Sequence, residues 1–157
     1  MRFKKPTVQK NLLVLIDTNV WVSAFINRNG YPAKVKEAFV NHEFDIAISP
    51  PLLQELSDVL RRPRIINLCK ITDEEIDQFI EILAGTGHKV YLTNDIYLCR
   101  DDKDNMVLET AVKSGAKYLV TRDDDIKRDP KLIEEMERYG VKVLPVSKFL
   151  DMLSQSA

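Results

Sequence analysis

Asp17, Glu55, Asp104 and Asp123 are the residues of this sequence whose type and placement could do chemistry. Asp17 is the first residue after the apolar run Leu12-Leu-Val-Leu-Ile16, and Asp123 follows the run Lys117-Tyr-Leu-Val-Thr121 by two positions. Asp104 sits in the stretch Asp101-Asp-Lys-Asp-Asn105, and Glu55 in Leu52-Leu-Gln-Glu-Leu56. If the apolar runs are strands of an open α/β sheet, all of these carboxylates can meet at one edge, because such sheets bind ligands outside the carboxyl ends of their strands. Carboxylates that converge without basic partners repel strongly in a partly buried site. Hard divalent cations, Mg2+ or Mn2+, are the natural counterweight for an all-oxygen donor set. Such an ion could hold and polarise a phosphodiester and lower the pKa of a bound water for in-line attack. Thr18, Asn19 and Thr121 would then orient ligands or substrate through hydrogen bonds.

Each acidic residue alone has a blander reading. An Asp after a buried strand, or at the start of a helix, often serves as a cap or dipole partner, which suits Asp17 and Asp104. Glu55 could be an exposed helical glutamate, and Asp123-Asp-Asp125 a solvated turn. Their joint occurrence at matching topological places favours a shared site.

The elements that must position these residues follow from apolar patterning. Short apolar runs alternate with longer amphipathic ones, which argues for parallel strands joined by helices. Residues 12–16 read as a strand buried on both faces, hence continuously apolar. A helix starting near Asn19 carries Val20, Val22, Ala24, Phe25 and Ile26, and helical spacing over 33–41 places Val35, Ala38 and Phe39 on one side. Phe44-Asp-Ile-Ala-Ile48 is the second strand, and Ser49-Pro50-Pro51 launches a helix over 52–60 with prolines in the tolerated first turn. That helix is expected to end around Arg61-Arg62-Pro63. Thr72-Asp-Glu-Glu75 is a capping box opening a helix with Ile76, Phe79, Ile80 and Leu83 on one face, closed by Gly85 and Gly87. A third strand is expected over 88–92, a helix over 103–114, a fourth strand over 117–121, a helix near 132–139, a fifth strand over 141–144, and a short last helix capped by Ser147. The fold class expected is α/β: a three-layer α/β/α sandwich around a mainly parallel sheet of about five strands. A flexible basic arm over residues 1–10, with Arg2, Lys4, Lys5 and Lys10, precedes a single domain over 11–153.

Bulk properties narrow the function classes. The 157 residues suit one domain, and the net charge of −1 gives no global positive field that would advertise nucleic-acid binding. That leaves room for an enzyme meeting a polyanion at a local basic rim. Arg61, Arg62 and Arg64 cluster at a helix end, while Arg100, Arg122 and Arg128 flank the acidic loops, and arginine suits bidentate phosphate contact. Most of these are expected to be ordinary surface charges. Trp21, Phe25 and Tyr31 could stack on bases, but helical spacing makes Trp21 and Phe25 core residues. The two cysteines, Cys69 and Cys99, are too few for a disulfide framework, which points to a reduced cytoplasmic setting. With His42 and His88 as the only histidines, zinc chemistry is not expected. No apolar run approaches the ~20 residues of a membrane span, and the basic start lacks the apolar stretch of a signal peptide.

At this point a resemblance becomes specific. Leu13-Val-Leu-Ile-Asp-Thr-Asn-Val20, continued by Trp21-Val-Ser-Ala24, resembles the opening motif of PIN-domain nucleases, in particular the toxins of toxin–antitoxin pairs. The segment from Ser49 through Arg62-Pro63 resembles the family's segment with a central glutamate and a trailing Arg-Pro. Asp101 to Ala111 resembles its third acidic motif, and Tyr118-Leu-Val-Thr-Arg-Asp-Asp-Asp125 its fourth. The match runs from about residue 11 to 150. Carried over, the resemblance implies metal-ligating roles for Asp17, Glu55, Asp104 and Asp123, with Asp101 and Asp125 at accessory acidic positions. It implies a magnesium- or manganese-dependent endoribonuclease, homodimers, and in toxin members a small antitoxin that blocks the site. One position departs from the pattern: where the family commonly has glycine between the threonine and aspartate of its fourth motif, this chain has Arg122.

Three rival readings are weaker. A phosphatase of the haloacid-dehalogenase type needs a second Asp two residues after its first, and Asn19 stands there. A receiver domain needs paired acids at its first strand and a lysine after its last, a pattern that is absent. A catalytically silent PIN-like module that binds a protein or RNA partner would be marked by lost site carboxylates, and the main four are present.

Overall fold

The computed structural model describes residues 12–94 and 102–155, the side chains at 102, 103 and 125 excepted. The expected arm over 1–10, Cys99, Arg100, Asp101 and the side chain of Asp125 lie outside the described residues.

The strands are β1 (Leu13–Ile16), β2 (Asp45–Ile48), β3 (His88–Lys89), β4 (Tyr118–Val120) and β5 (Lys142–Leu144). They form one parallel sheet in the order β3-β2-β1-β4-β5. Between β1 and β2 run α1 (Thr18–Ile26) and α2 (Tyr31–Val40), and between β2 and β3 run α3 (Pro50–Leu60), α4 (Pro63–Cys69) and α5 (Asp73–Thr86). Helix α6 (Asp102–Ser114) leads into β4, α7 (Asp124–Lys127) and α8 (Pro130–Arg138) into β5, and α9 (Val146–Gln155) follows.

Alternation along each strand builds a core on both faces of the sheet. Val14, Ile16, Ile46, Ile48, Val120 and Leu144 face the layer made by α1 to α5 and α9. Leu15, Ala47 and Leu119 face the layer of α6, α7 and α8, where Leu108, Ile126 and Met136 are fully buried. The central strands β1 and β4 have no polar face, as continuously apolar runs require. The larger layer is aromatic: Trp21 meets Phe39 and Phe79 edge-on at 5.6 and 5.3 Å, and Phe44 meets Phe149 at 5.1 Å. Trp21 and Phe25 are buried core residues, and their packing fixes α1 against α2 and α5.

The structure departs from the sequence expectations in several places. Helix α1 begins at Thr18, not Asn19, and Asp17 occupies the N-cap position without making a cap bond. Its carboxylate is engaged by Thr121 instead. Helix α3 ends at Leu60 with Arg61 as its C-cap, as expected, but Pro63 stands in the first turn of α4, a helix the patterning did not reveal, which closes at Lys70 with φ 51°. The four-residue α7 was likewise not anticipated. Strand β3 covers only His88–Lys89, both exposed, because it is an edge strand with a partner on one side. The capping box holds as expected, with the Glu75 amide donating to Thr72 Oγ1 at 3.1 Å.

Gly85 lies in the last turn of α5, one residue before its end, and a methyl group there would meet nothing within 4 Å. At Gly87, which ends α5, a Cβ would lie 2.6 Å from the Leu83 carbonyl oxygen and 2.8 Å from Ile48 Cδ1. The two glycines therefore predict opposite outcomes. Gly85→Ala should raise stability by up to about 0.5 kcal/mol, the low end of the helix-interior cost of glycine because residue 85 is in the last turn, and Gly87→Ala should lower it by about 1–3 kcal/mol through overpacking. Urea midpoints of both variants check this; the same sign for both would contradict the packing.

Candidate active site

After β1 the chain turns toward β2 and β3, and after β4 it turns the other way toward β5. The crevice beyond the carboxyl ends of β1 and β4 is thus a topological switch point, where open parallel sheets hold their ligands. The pairing of Ile16 with Val120 brings residue 17 beside residue 121, and the Asp17 amide extends the ladder by donating to the Val120 carbonyl at 2.9 Å.

A cleft of about 410 Å³ opens at this point, lined by Asp17, Glu55, Asp104 and Asp123 together with Thr18 and Asn19. Asp17 arrives from the end of β1, Glu55 from the middle of α3, Asp104 from the first turn of α6, and Asp123 from the loop between β4 and α7. Asp17 and Asp104 are buried, while Glu55 and Asp123 are half-buried. Among the described residues lining the cleft, none is lysine or arginine.

Hydrogen bonds tie the cleft together. Thr121 Oγ1 donates to Asp17 Oδ2 at 2.7 Å and accepts from the Asp123 amide at 2.9 Å, so one hydroxyl sets both acids. Thr18 Oγ1 donates to Glu55 Oε2 at 3.5 Å, and Asn19 Oδ1 accepts from the Arg122 amide at 3.4 Å. Burial pushes the Asp17 carboxyl up from an ordinary 3.8 to about 6. The Thr121 hydroxyl and the Thr18 amide work against the rise, while the charges of Asp123 and Glu55 add to it.

The donor set is all oxygen and carries no internal cation, which fits a hard divalent ion. Among the described residues, no three His, Cys, Asp or Glu side chains stand close enough to form a finished cage. Mutual repulsion spreads like charges that have nothing between them.

The expected arginines divide. Arg61 is committed to Asp73 and Asp77 on α5, and also donates to Ser57 Oγ. Arg62 and Arg64 are exposed at the start of α4, and Arg128 pairs with Asp124. Arg122 is exposed beside the cleft, with its guanidinium donating to Ser23 Oγ on α1 at 2.6 Å.

Three supporting residues escaped the sequence reading. The buried hydroxyls of Ser49, which precedes α3, and Thr110 on α6 hydrogen-bond at 2.9 Å, so the helices carrying Glu55 and Asp104 are joined. Glu109 is only 2% exposed; it accepts the amides of Thr93 and Asn94 at 2.7 and 3.0 Å and pairs with Lys113 at 3.0 Å. The signal for Glu109 and Thr110 was their place within the otherwise apolar stretch Val107-Leu-Glu-Thr-Ala111, since buried polar groups must be satisfied.

The PIN domain family matches residues 13–125, a span that includes all of the cleft carboxylates. This chain belongs to the PIN domain family. An uncharacterized protein of Methanocaldococcus jannaschii is 29% identical over 143 residues, covering 88% of this chain and 89% of the relative. The crystal structure of VapBC2 from Rickettsia felis, bound to a DNA fragment from their promoter, contains a chain that superposes with a TM-score of 0.55 at 16% identity, covering 85% of this chain and 98% of that one. At that identity the likeness is one of fold, and it agrees with the three-layer α/β/α arrangement. Among the described residues of this PIN domain, no helix is long and apolar enough to cross a membrane.

The raised Asp17 pKa has a defined consequence for stability. Because the native state binds the Asp17 proton more tightly than the unfolded chain, ionisation costs stability above about pH 6, and the cost disappears below about pH 4. An asparagine in its place would keep an acceptor for Thr121 without the charge. Asp17→Asn is therefore expected to be more stable than wild type at pH 8 in EDTA, by on the order of 2 kcal/mol, with the gain shrinking as the pH falls from about 6 to about 4. Chemical denaturation at both ends of that range tests it; a gain that did not vary with pH would contradict the buried charge.

Proposed function

We propose that this PIN domain is a divalent-metal-dependent endoribonuclease that hydrolyses RNA phosphodiester bonds. The observation that carries the reading is the convergence of four carboxylates, from four separated segments, in one cleft with no cation among its described lining residues. Asp17, Glu55, Asp104 and Asp123 would hold Mg2+ or Mn2+. When bound, the ion polarises the phosphodiester and generates a nucleophilic water near neutral pH. The chain supplies the rest. Thr121 holds Asp17 and Asp123 in mutual register, Thr18 steadies Glu55, and Asn19 fixes the loop that follows β4. Asp101 and Asp125 are proposed as accessory acids on the strength of their resemblance to the family's acidic positions alone. Val22, Val59 and Val107 supply the apolar part of the cleft wall.

The same reading makes the protein the toxin of a toxin–antitoxin pair, acting in the cytoplasm as a homodimer and restrained by a small antitoxin. Its motifs support this by their resemblance to toxin members, and the fold it shares with a VapBC2 chain is consistent with it. A second reading, a catalytically silent PIN module acting through a bound partner, draws on the absence of a finished cage among the described residues. The charge balance favours the first reading: a partner-binding surface has no need to keep a buried, unneutralised Asp17.

The deciding experiment is cleavage of a panel of labelled RNAs in magnesium, manganese or EDTA. Wild type should cut only with metal, and Asp17→Asn and Asp104→Asn should each lose roughly 100-fold or more of the activity while remaining folded. Wild-type activity in either variant would remove the metal-site assignment. No cutting, together with no manganese-dependent rise in melting temperature, would leave the partner-binding reading standing.

A further inference from the structure

A second cavity, of about 430 Å³, lies directly against the acidic cleft, and its charge is reversed. Ser23 lines both cavities, and Thr121, whose hydroxyl holds Asp17 on one side, lines the second on the other. The first cleft has four carboxylates and no cation among its described lining residues. The second has Arg122 and Lys127 and no carboxylate among its described lining residues. Tyr31, 59% exposed at the start of α2, forms its outer wall.

The cations of this groove differ from the other basic residues near the site. Arg61 is locked to two aspartates on α5. Arg122 spends its guanidinium on the neutral hydroxyl of Ser23, and among the described residues no carboxylate forms an ion pair with it. A guanidinium has donors to spare after one such bond, so it can grip an anion without first breaking a salt bridge. Lys127 shares the Asp124 carboxylate with Arg128, at 3.4 and 3.3 Å, which leaves that trio with a net positive charge. An exposed tyrosine beside two cations is a stacking platform next to a phosphate grip, the combination that holds single-stranded nucleic acid.

We infer that this groove is a subsite for the nucleotide adjacent to the scissile bond of a single-stranded RNA, with Arg122 on its phosphate and Tyr31 stacked on its base. The inference rests on the reading of the acidic cleft as a ribonuclease site and adds where the substrate strand runs. A chain that leaves the acidic cleft over Ser23 enters the cationic groove at once. Its phosphates then alternate between a place that needs a bridging cation and a place that supplies one. Double-stranded RNA fits poorly, since its bases are paired and cannot reach Tyr31.

The test is binding of a fluorescein-labelled pool of single-stranded RNA hexanucleotides to the full-length Asp17→Asn protein in magnesium, across a salt series. In that background Arg122→Ala should weaken binding and reduce the slope of log affinity against log salt by about 0.7, the loss of one single-strand phosphate contact. Arg122→Lys should keep the slope. Tyr31→Ala should weaken binding about tenfold at every salt concentration without changing the slope. Arg138→Ala, on α8 and paired with Glu134 and Glu135, should behave as the parent. Unchanged affinity and slope in both Arg122→Ala and Tyr31→Ala would overturn the subsite, as would an equal change in Arg138→Ala, which would mean diffuse charge alone. An oligo-glutamate peptide that depends on Arg122 while the RNA pool does not would also overturn it, in favour of an acidic protein partner. Cleavage by the wild-type enzyme reads the ribonuclease assignment separately: metal-dependent cutting with a KM indifferent to Arg122→Ala sinks the subsite and leaves the acidic cleft intact.

Discussion

The hydrogen bond from Thr121 to the buried Asp17 carboxylate spans 104 positions of sequence and joins the ends of two neighbouring parallel strands. An ionised carboxylate that is 7% exposed is expensive to keep, and burial is the main cause of its raised pKa. The fold tolerates it because the switch point between β1 and β4 supplies a hydroxyl and a backbone amide, each favouring the ionised form. Thr121 then passes the constraint on by accepting the Asp123 amide, so the second acid is set by the same atom that sets the first. The other two acids are held from further off. Ser49 and Thr110 fasten the start of α3 to α6 in the interior, and those helices carry Glu55 and Asp104.

Much of this order was visible in the sequence for a physical reason. A strand buried on both faces must be apolar throughout, so the runs before Asp17 and Asp123 stood out, and the polar residues that follow each had to sit at the sheet's carboxyl edge. The capping box at Thr72 was legible because its chemistry is local. Helix α4 was not, since Pro63 is equally at home ending one helix or starting the next, and only the tertiary contacts of Cys69 and its neighbours decide. Glu109 stood out only as a polar residue in an apolar stretch: apart from Lys113, four residues on, its partners lie 15 or 16 positions away, and the partner of Ser49 lies 61 positions away. Asp17 shows the limit from the other side. Its position was read correctly, yet the capping role that its type suggests is absent, because a tertiary partner outcompetes the local one.

The arginines carry a similar lesson about charge. Arg61 and Arg122 are alike in sequence, each standing next to a motif residue, and the sequence offers no means of ranking them. The structure gives Arg61 two carboxylates across the gap to α5, which makes it a fastener between α3 and α5. It gives Arg122 a hydroxyl. An exposed ion pair contributes little to stability, so the Arg61 bridges matter more for removing a cation from the surface than for strengthening the fold.

A net charge of −1 therefore understates how polar this surface is. The sum of 23 basic and 24 acidic residues erases their arrangement, and the arrangement is what an approaching polyanion meets. Here a carboxylate-lined cleft and a cation-lined groove share a wall at Ser23, so charges of opposite sign line the two sides of one side chain. A uniformly basic protein would hold RNA in many registers. A phosphodiester chain laid across this boundary is repelled on one side unless a divalent ion lies beneath it, and attracted on the other without one. On the proposed ribonuclease reading, that asymmetry would tie productive binding to a divalent ion, and it would give a protein of near-zero net charge a way to choose where along a strand its chemistry falls.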